Sequence, residues 1–418
     1  MTSPPSSQPV AVVGVTTAQT CQVLRGRLRA LRLAGFRVVL ISSPGPLLDA
    51  TTTSEGVEAA AIPIEREIKP WADLVSLARI WRLLQRLHPD LVEFSTPKAG
   101  LLGLVAARLY GIQRRVYLLR GLKLETSKGL KRRLLIAAER IACRSAHLVI
   151  ANSASLRHKA LALGLVSPER LWLLGGGSSR GVDVTSYSPG QSDVRKQLGI
   201  AADTLVVGFV GRLTRDKGVP ELLEAFEQIL QQHNEAQLLL VGWFDAAEDA
   251  LPAALRRKIE THPQIVVTGM VDSTQAYYRA MDVMVLPTLR EGFPNAVLEA
   301  SATGIPVVTT LATGARDSVV PEVTGLLVPQ GHPEAIAEAV LTLLNDPARR
   351  VRMGHAARAW VLENFVDVQV LALTVKLYKR LLETPPNSPF RKRAKGDKMP
   401  ETLADLELEA QWRRAGWS

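Results

Sequence analysis

Residues 282–310 read D-V-M-V-L-P-T-L-R-E-G-F-P-N-A-V-L-E-A-S-A-T-G-I-P-V-V-T-T, and they contain a complete strand, turn, helix and strand. Val283–Leu286 is an apolar run of strand length, and a second apolar run begins at Val307. Pro294 suits the first position of a helix, and Gly304 ends it. A short helix between two strands is typical of a parallel crossover. The turn before the helix is therefore predicted at the carboxyl edge of the sheet, where open α/β folds bind ligands.

Two glutamates frame this predicted turn and helix. Glu291 precedes the helix and Glu299 lies well inside it, so one carboxylate could face the head of a ligand while the other faces a neighbouring part. Backbone N–H groups after Gly292 are expected to be available to an anion. The residues alone leave a second interpretation open, in which Glu299 is on a solvated helix face and Glu291 stabilises the helix dipole.

A family resemblance favours the first interpretation. The motif E-G-F-P-N-A-V-L-E at residues 291–299 resembles the E-x7-E motif of the retaining GT-B glycosyltransferases of the glycogen-synthase-like type, family 4. Further segments share the resemblance: G-F-V-G-R-L-T-R-D-K-G at 208–218, G-G-G-S-S-R-G-V-D at 175–183, T-P-K-A-G-L-L-G at 96–103 and R-G-L-K at 120–123. The likeness extends from about Val10 to about Leu382, and it is strongest toward bacterial polysaccharide enzymes that act on polyprenyl-diphosphate sugars.

The resemblance implies an α/β fold of the GT-B type. We expect two Rossmann-like domains that face a cleft, with a C-terminal helix that crosses back to the first domain. The expected boundaries are 1–188 for an acceptor-binding, membrane-facing domain, 189–370 for a donor-binding domain and 371–384 for the crossover helix. Residues 385–418 are expected to form a basic, flexible tail.

The resemblance also implies the donor site. Glu291, Arg212 and Lys217 would be catalytic, with the two cations neutralising the departing diphosphate as its charge develops. The other donor-binding positions of the pattern are Gly211, Gly292, Phe293, Pro294, Asn295 and Glu299. A pair of surface cations beside a loop is the alternative for Arg212 and Lys217. No D-x-D motif is present, so we expect neither a metal site nor a cofactor, with the cations acting in place of a metal.

Three basic residues in the first half are candidates for the acceptor side. Lys98 follows a predicted strand at a strand-to-helix turn, and Arg120 and Lys123 belong to the R-G-L-K segment. The family pattern often has a histidine before the first of these turns. Glu93 occupies that position here, so a mechanism that depends on a histidine there is not expected.

Net positive charge is concentrated in the first half of the chain. Residues 1–190 contain 26 Lys and Arg against 12 Asp and Glu, which suits an anionic partner. Only 5% of residues are aromatic and no nucleic-acid-binding motif is present, so nucleic acid is not the expected partner. The expected partners are a nucleotide-sugar donor, a lipid-linked saccharide acceptor and an anionic membrane surface.

Two helical stretches are relevant to a membrane. Residues 116–144 interleave basic side chains with leucines, which favours a helix on anionic lipid over one with its leucines in the core. Pro70–Leu87 has helical periodicity, and its apolar side is expected to pack on the core. That side comprises Trp71, Leu74, Leu77, Ala78, Trp81 and Leu84. Near the N-terminus, a single helix is expected over residues 22–34.

The cysteine content and the hydropathy of the sequence predict the cellular compartment of the protein. Two cysteines make no disulfide framework, and neither a signal sequence nor an apolar run long enough to span a bilayer is evident. We therefore expect a cytoplasmic protein, peripheral on the inner face of the cell membrane.

The leading functional hypothesis is a retaining, metal-independent transfer of a sugar from a nucleotide diphosphate-sugar, with UDP-sugars favoured, to a polyprenyl-diphosphate saccharide. Two alternatives are a GT-B sugar-nucleotide epimerase and a catalytically idle, membrane-associated scaffold of the same fold. The E-x7-E motif with its Arg and Lys speaks against the epimerase, which would need acid and base residues in the cleft.

Overall fold

The computed structural model describes residues 8–67, 69–245 and 249–383. These residues form two compact units, and the chain passes between them at Arg180/Gly181 and at Asp367/Val368. The first boundary lies before the predicted position at 188, in the segment that follows the glycine-rich turn. The predicted tail at 385–418 lies outside the described residues.

The first unit is built on a seven-stranded parallel sheet. Its strands are β1 (Val10–Gly14), β2 (Arg37–Ser42), β3 (Glu58–Ala61), β4 (Leu91–Ser95), β5 (Arg115–Leu119), β6 (Leu148–Ala151) and β7 (Leu171–Leu173). They lie in the order β3-β2-β1-β4-β5-β6-β7, so the winding reverses between β1 and β4. Apolar side chains cover both faces of the central strands, which are therefore mainly apolar, whereas the edge strand β3 is largely exposed. The carboxyl edge at such a reversal is where doubly wound folds bind ligands.

Helices connect the strands of this unit on both faces of the sheet. They are α1 (Arg27–Leu33), α2 (Pro46–Glu55), α3 (Pro70–Leu87), α4 (Pro97–Tyr110), α5 (Gly129–Ser145) and α6 (Ala154–Ala162). The prediction of one helix over 22–34 is wrong. A 3-10 helix at Ala18–Leu24 is followed by a break at Gly26, where φ is +76°, and α1 begins only at Arg27. This break allows the fully buried Arg27 side chain to enter the interior.

The apolar side of α3 also differs from the prediction. The helix has the predicted bounds, and Leu77 and Leu84 of the predicted side pack on the core, but the other buried residues are Ser76 and Ile80. Trp71 is 83% exposed and Leu74 is 55% exposed. Helical periodicity identified the stripe but not its partner, because a period shows which residues share a face and not what covers that face.

The second unit repeats the architecture with a six-stranded parallel sheet of order β10-β9-β8-β11-β12-β13. Its strands are β8 (Val206–Val210), β9 (Gln237–Val241), β10 (Ile265–Gly269), β11 (Val283–Leu286), β12 (Val307–Thr310) and β13 (Gly325–Val328). Its helices are α7 (Val194–Gln197), α8 (Val219–Leu230), α9 (Ala253–Thr261), α10 (Gln275–Tyr278), α11 (Asn295–Ala302), α12 (Pro333–Leu344) and α13 (Pro347–Asn364). Here the winding reverses between β8 and β11.

The predicted unit at 282–310 is confirmed as β11, α11 and β12. Strands β11 and β12 pair in parallel, with Val285 opposite Val308. Pro294 is the residue before the helix rather than its first residue. The turn before α11 lies at the carboxyl edge of the second sheet, next to the reversal.

The final described helix, α14 (Asp367–Glu383), belongs almost entirely to the first unit. It begins four residues before the predicted position, and its apolar residues Leu377, Tyr378 and Leu381 join the core on one face of the first sheet. The predicted return of the C-terminal helix to the first domain is confirmed. No helix in the described part of the chain combines the length and hydropathy that a membrane span requires.

Candidate functional site

Two turns meet at the carboxyl edge of the second sheet. The first follows β8 and passes through Gly211 to a 3-10 helix at Arg215–Lys217, and the second joins β11 to α11. Gly218, at φ +74°, lets them approach, because any Cβ there would collide with the carbonyl oxygen of Pro287. Residues more than 70 positions apart in the chain thereby share one site.

Lys217 and Glu291 form an ion pair across these turns. The Lys217 ammonium contacts Glu291 Oε1, and each side chain is 17% exposed. In so sheltered a position the charges interact more strongly than at an open surface, while an edge of the pair remains accessible to a ligand. The interpretation of Lys217 as a solvated surface cation does not fit this geometry.

Arg212 points into a group of carboxylates. Its Nη1 donates to Asp245 Oδ2 over 2.8 Å, and its Nη2 lies 3.7 Å from Asp216 Oδ2. Burial by itself would lower the pKa of Arg212, but the bond to Asp245 and the neighbouring negative charges raise it above its usual value. The guanidinium is therefore held as a fixed cation in one orientation.

Asp216 and Arg290 complete the charge network, and neither was among the predicted site residues. Arg290 Nη2 donates to Asp216 Oδ2 over 2.8 Å and lies 3.3 Å from Asp249 Oδ2. Burial tends to raise the pKa of Asp216, and the charges of Arg290 and Lys217 with the Thr214 hydroxyl lower it overall. Asp216 is thus an ionised link between the two turns. The spacing of R-D-K beside the glycines was the only available signal.

Glu299 is buried, at 7% exposure, on α11. Tyr278 donates its hydroxyl proton to Glu299 Oε2 over 3.0 Å. The alternative of a solvated helix face is therefore wrong for this residue. A buried carboxylate that is held by a neighbouring hydroxyl has a fixed orientation, which a binding role requires.

The segment between the two glutamates is shaped by backbone contacts. Any Cβ at Gly314 would collide with the Gly292 carbonyl, so the turn after β12 lies directly against the motif. The Phe293 side chain packs on Phe365, with ring centroids 5.2 Å apart. It is buried in an apolar cluster, so contact of Phe293 with a donor would be made by its backbone. Pro294 and Asn295 follow at the start of α11.

The acceptor-side candidates lie at the carboxyl edge of the first sheet, and they differ in their partners. Lys98, in the first turn of α4, pairs with Asp73 over 2.7 Å and also donates to the Glu67 carbonyl oxygen. Arg120 follows β5 and donates from Nη1 to Ser179 Oγ over 2.7 Å. Lys123 begins a 3-10 helix at Lys123–Thr126.

Glu93 takes part in a buried network that the sequence did not reveal. Arg27 Nη2 lies 2.5 Å from Glu93 Oε2, and the Tyr378 hydroxyl also donates to that oxygen. Arg27 further donates to Thr374 over 2.9 Å. Burial would raise the pKa of Glu93, but the charge of Arg27 lowers it, so the carboxylate is ionised. Glu93 therefore links α1, β4 and α14 and has no proton to offer a substrate near neutral pH.

Family models match most of both units. Residues 22–177 match the model described as "Glycosyl transferase 4-like domain", and residues 204–346 match "Glycosyl transferases group 1". These segments contain the acceptor-side candidates and the donor-site residues, respectively.

Two curated relatives span most of the chain. The "Capsular polysaccharide biosynthesis glycosyltransferase CapM" of Staphylococcus aureus is 35% identical over 358 residues, which are 85% of this chain and 93% of the relative. The "UDP-Gal:alpha-D-GlcNAc-diphosphoundecaprenol alpha-1,3-galactosyltransferase" of Escherichia coli is 26% identical over 81% of this chain and 88% of the relative.

Solved structures share the fold. A sucrose-phosphate synthase from Thermosynechococcus elongatus superposes with a TM-score of 0.74 at 24% identity, covering 90% of this chain and 99% of that one. The Anabaena protein HepE, solved with UDP-glucose, superposes with a TM-score of 0.73 at 21% identity, covering 88% of this chain and 99% of that one.

Proposed function

The chain belongs to the group 1 glycosyltransferases and has the GT-B fold, and from this premise we propose its donor, its acceptor and its mechanism. It transfers a sugar from a nucleotide diphosphate-sugar, with a UDP-sugar favoured, to a saccharide linked to polyprenyl diphosphate. The product is an intermediate of surface polysaccharide or glycan biosynthesis. The Escherichia coli relative is named for transfer from UDP-Gal to a lipid-linked acceptor of this kind, which supports both substrate classes.

The observation that carries the proposal is the convergence of Arg212, Lys217 and Glu291 at one sheet edge, with Glu299 buried in the helix that follows. Arg212 and Lys217 bind the donor diphosphate and stabilise its charge as the bond to the sugar breaks. The carboxylates that now contact these cations keep them oriented before the donor arrives, so little reorganisation is needed during reaction. Glu291 contacts the transferred sugar near its developing positive charge, and Glu299 binds the ribose. Retention of the anomeric configuration follows from the family resemblance.

The two units divide the substrates between them. The second unit holds the donor, through the residues above with the backbone of Gly211, Gly292, Phe293, Pro294 and Asn295. The first unit holds the acceptor, with Lys98, Arg120 and Lys123 at its sheet edge.

An anionic membrane surface on the cytoplasmic side is the third partner that we propose. The α5 helix exposes Leu130 at 71%, Leu134 at 53% and Ile141 at 49%, spaced so that they share one face. Exposed basic residues flank this stripe: Lys128, Lys131, Arg133, Arg140 and Arg144. Leu122 and Leu124, by contrast, are buried in the core. An apolar stripe bordered by cations suits the interface of an anionic bilayer.

An assay of transfer tests the proposed function. Polyprenyl-diphosphate N-acetylglucosamine is incubated with a panel of UDP-, GDP- and ADP-sugars, and the product is analysed for mass and anomeric configuration. We expect a retained linkage from a UDP-sugar. Interconversion of the nucleotide sugar without an acceptor would indicate an epimerase, and no turnover with any donor would indicate a scaffold.

Metal independence is a separate expectation of this mechanism. Since Arg212 and Lys217 supply the positive charge at the diphosphate, EDTA should leave the initial rate of transfer nearly unchanged. Loss of activity with EDTA, restored by Mg²⁺ or Mn²⁺, would contradict this expectation.

A further inference from the structure

Arg120 presents an unusual guanidinium at the carboxyl edge of the first sheet. Its Nη1 is bound to Ser179 Oγ, as described above. Its Nε and Nη2 are shielded from solvent, and no acceptor among the described residues receives a hydrogen bond from either atom. These two nitrogens form the edge of a guanidinium that binds two oxygens of one anion at once. Shielded donors without acceptors are costly, so this edge is suited to a ligand that supplies them.

The charged groups around Arg120 also favour binding of an anion. Arg27 and Arg120 are both near one carboxylate, Glu93, whose oxygens are already bound by Arg27 and the Tyr378 hydroxyl. Arg180 adds a further positive charge nearby. Burial and the charge of Arg27 lower the pKa of Arg120 to about 9, so Arg120 is protonated at neutral pH beside a carboxylate that Arg27 already binds. A bound anion would balance that charge.

The ends of the neighbouring strands offer polar groups of a second kind. Ser95 ends β4 and Asn152 follows β6, on either side of the strand that Arg120 follows. Ser95 Oγ and Asn152 Oδ1 are likewise shielded without a hydrogen-bond partner in the part of the chain that is described. A hydroxyl and an amide are neutral groups that pair with hydroxyls of a saccharide.

The other acceptor-side candidate with defined contacts is less suited to binding an anion. Lys98 is already paired with Asp73 and bound to a carbonyl, and its side chain is only 12% exposed. An anion at Lys98 would have to compete with a carboxylate, whereas the Nε and Nη2 atoms of Arg120 would gain their first acceptors.

We propose that the Nε and Nη2 edge of Arg120 binds a phosphate group of the acceptor, the diphosphate that carries its saccharide. Ser95 and Asn152 bind hydroxyls of the attached sugar. This inference rests on the proposed function for its choice of ligand, while the phosphate site itself can be measured without turnover.

Inorganic pyrophosphate is the probe, titrated calorimetrically into the full chain in the presence of saturating UDP. The UDP occupies the diphosphate site of the donor, so that binding to the second unit is suppressed. We expect the wild type to bind pyrophosphate, and Arg120→Gln to bind it roughly ten- to a hundredfold more weakly. The matched control is Arg157→Gln, which removes an exposed arginine from α6 and should leave the affinity unchanged.

Arg120→Lys is the second variant, and circular dichroism checks that both variants fold. Lysine keeps the charge but lacks the paired donors, so we expect intermediate affinity. If Arg120→Gln does not fold, a loss of pyrophosphate affinity in the folded Arg120→Lys variant would still support the assignment of Arg120 to the phosphate site. Affinity for UDP alone should be the same in all variants.

Several results would overturn the inference. One is the absence of pyrophosphate binding by the wild type at saturating UDP, and another is undiminished binding by the Arg120 variants. An equal loss of UDP affinity would assign Arg120 to the donor, and equal competition by acetate would indicate a carboxylate ligand. Failure of sugar transfer with an intact pyrophosphate site would reject the proposed function instead.

Discussion

At the scale of single residues, Lys217 has a defined partner and a proposed task at the donor diphosphate. Its ammonium contacts Glu291 in a sheltered position, beside the carboxylate network that holds Arg212. A cation fixed in this way stabilises a leaving diphosphate without first having to be ordered. The residue is therefore the most direct test of the donor site.

Lys217→Ala should reduce kcat/KM by roughly two to three orders of magnitude, the scale for losing one preorganised charge partner. Lys258→Ala is the matched control. Lys258 pairs with Glu227 over 3.0 Å at 50% exposure in the same unit, and an exposed pair of this kind contributes little. Steady-state kinetics on both folded variants makes the comparison, and wild-type turnover in Lys217→Ala would reject the assignment.

The two glutamates should differ in their kinetic effects. Glu291→Gln should lower kcat with little change in donor KM, because a contact that strengthens as charge develops acts on the chemical step. Glu299→Gln should raise donor KM and weaken binding of free UDP, because a ribose contact is made equally before and during reaction.

Calorimetric titration with UDP separates the two roles. If Glu291→Gln loses UDP affinity and Glu299→Gln keeps it, the roles are reversed. Tyr278→Phe is a useful companion, since it removes the hydroxyl that holds Glu299 but leaves the carboxylate in place. It should shift donor KM in the same direction as Glu299→Gln and by less.

At the scale of elements, α5 combines an exposed basic face with a buried acid. Glu139 is 4% exposed on its inner side, and Tyr117 donates to its Oε2 over 2.9 Å. Burial raises the pKa of Glu139 to about 7, although the Tyr117 bond opposes the change. The helix thus holds a carboxyl group that is protonated in the folded chain at mildly acidic pH.

This raised pKa predicts how stability depends on pH. Between the ordinary glutamate value near 4.5 and about 7, the folded chain retains a proton that the unfolded chain releases. The contribution of Glu139 to stability is therefore complete at acidic pH and is lost as pH rises through 7. Glu139→Gln keeps an acceptor for Tyr117 without a charge. The free energy of unfolding of Glu139→Gln, relative to that of the wild type, should therefore increase from pH 5 to pH 8 by on the order of 2 kcal/mol.

Differential scanning calorimetry at the two pH values measures this effect as a shift in Tm. Glu260→Gln is the control, because Glu260 is exposed and paired with Arg256 along a helix. A Tm difference for Glu139→Gln that is independent of pH would contradict the prediction.

At the scale of the whole molecule, apolar and basic surface occur together on the first unit. The α4 helix packs against both α3 and α5, so the three helices form one layer on the sheet. Each exposes large apolar side chains, including Trp71 on α3, Leu109 on α4 and Leu134 on α5. Tryptophan and leucine beside arginine and lysine are the residues that bind bilayer interfaces.

Vesicle sedimentation should therefore show binding that requires both charge and apolar side chains. The chain should bind vesicles with anionic lipid better than neutral ones, and added salt should weaken the binding. Trp71→Ser and Leu134→Ser should each reduce binding to anionic vesicles several-fold. Val323→Ser, which alters a 53% exposed residue of the second unit, is the control. Equal binding to neutral and anionic vesicles would reject the proposal.

The sequence by itself determined the αβ alternation, the two units and the strand, helix and strand around the E-x7-E motif. It could do so because strand runs, helix ends and glycine turns are local signals that neighbouring residues carry. The family resemblance also grouped Arg212, Lys217, Glu291 and Glu299 as one donor site, and that grouping stays a prediction. The predictions of strands, helices, turns and motif positions required only local sequence patterns and the resemblance to a family.

Only the tertiary structure decided which partner each side chain meets. The Arg27–Glu93–Tyr378 network joins residues from opposite ends of the chain, and Asp245 contacts Arg212 from the segment that follows β9. No local pattern encodes such contacts, since they depend on how strands are ordered in the sheet. Burial is equally nonlocal: periodicity grouped Trp71 with Leu84 on one helix, but packing of neighbouring helices and strands buried Leu84 and left Trp71 in solvent.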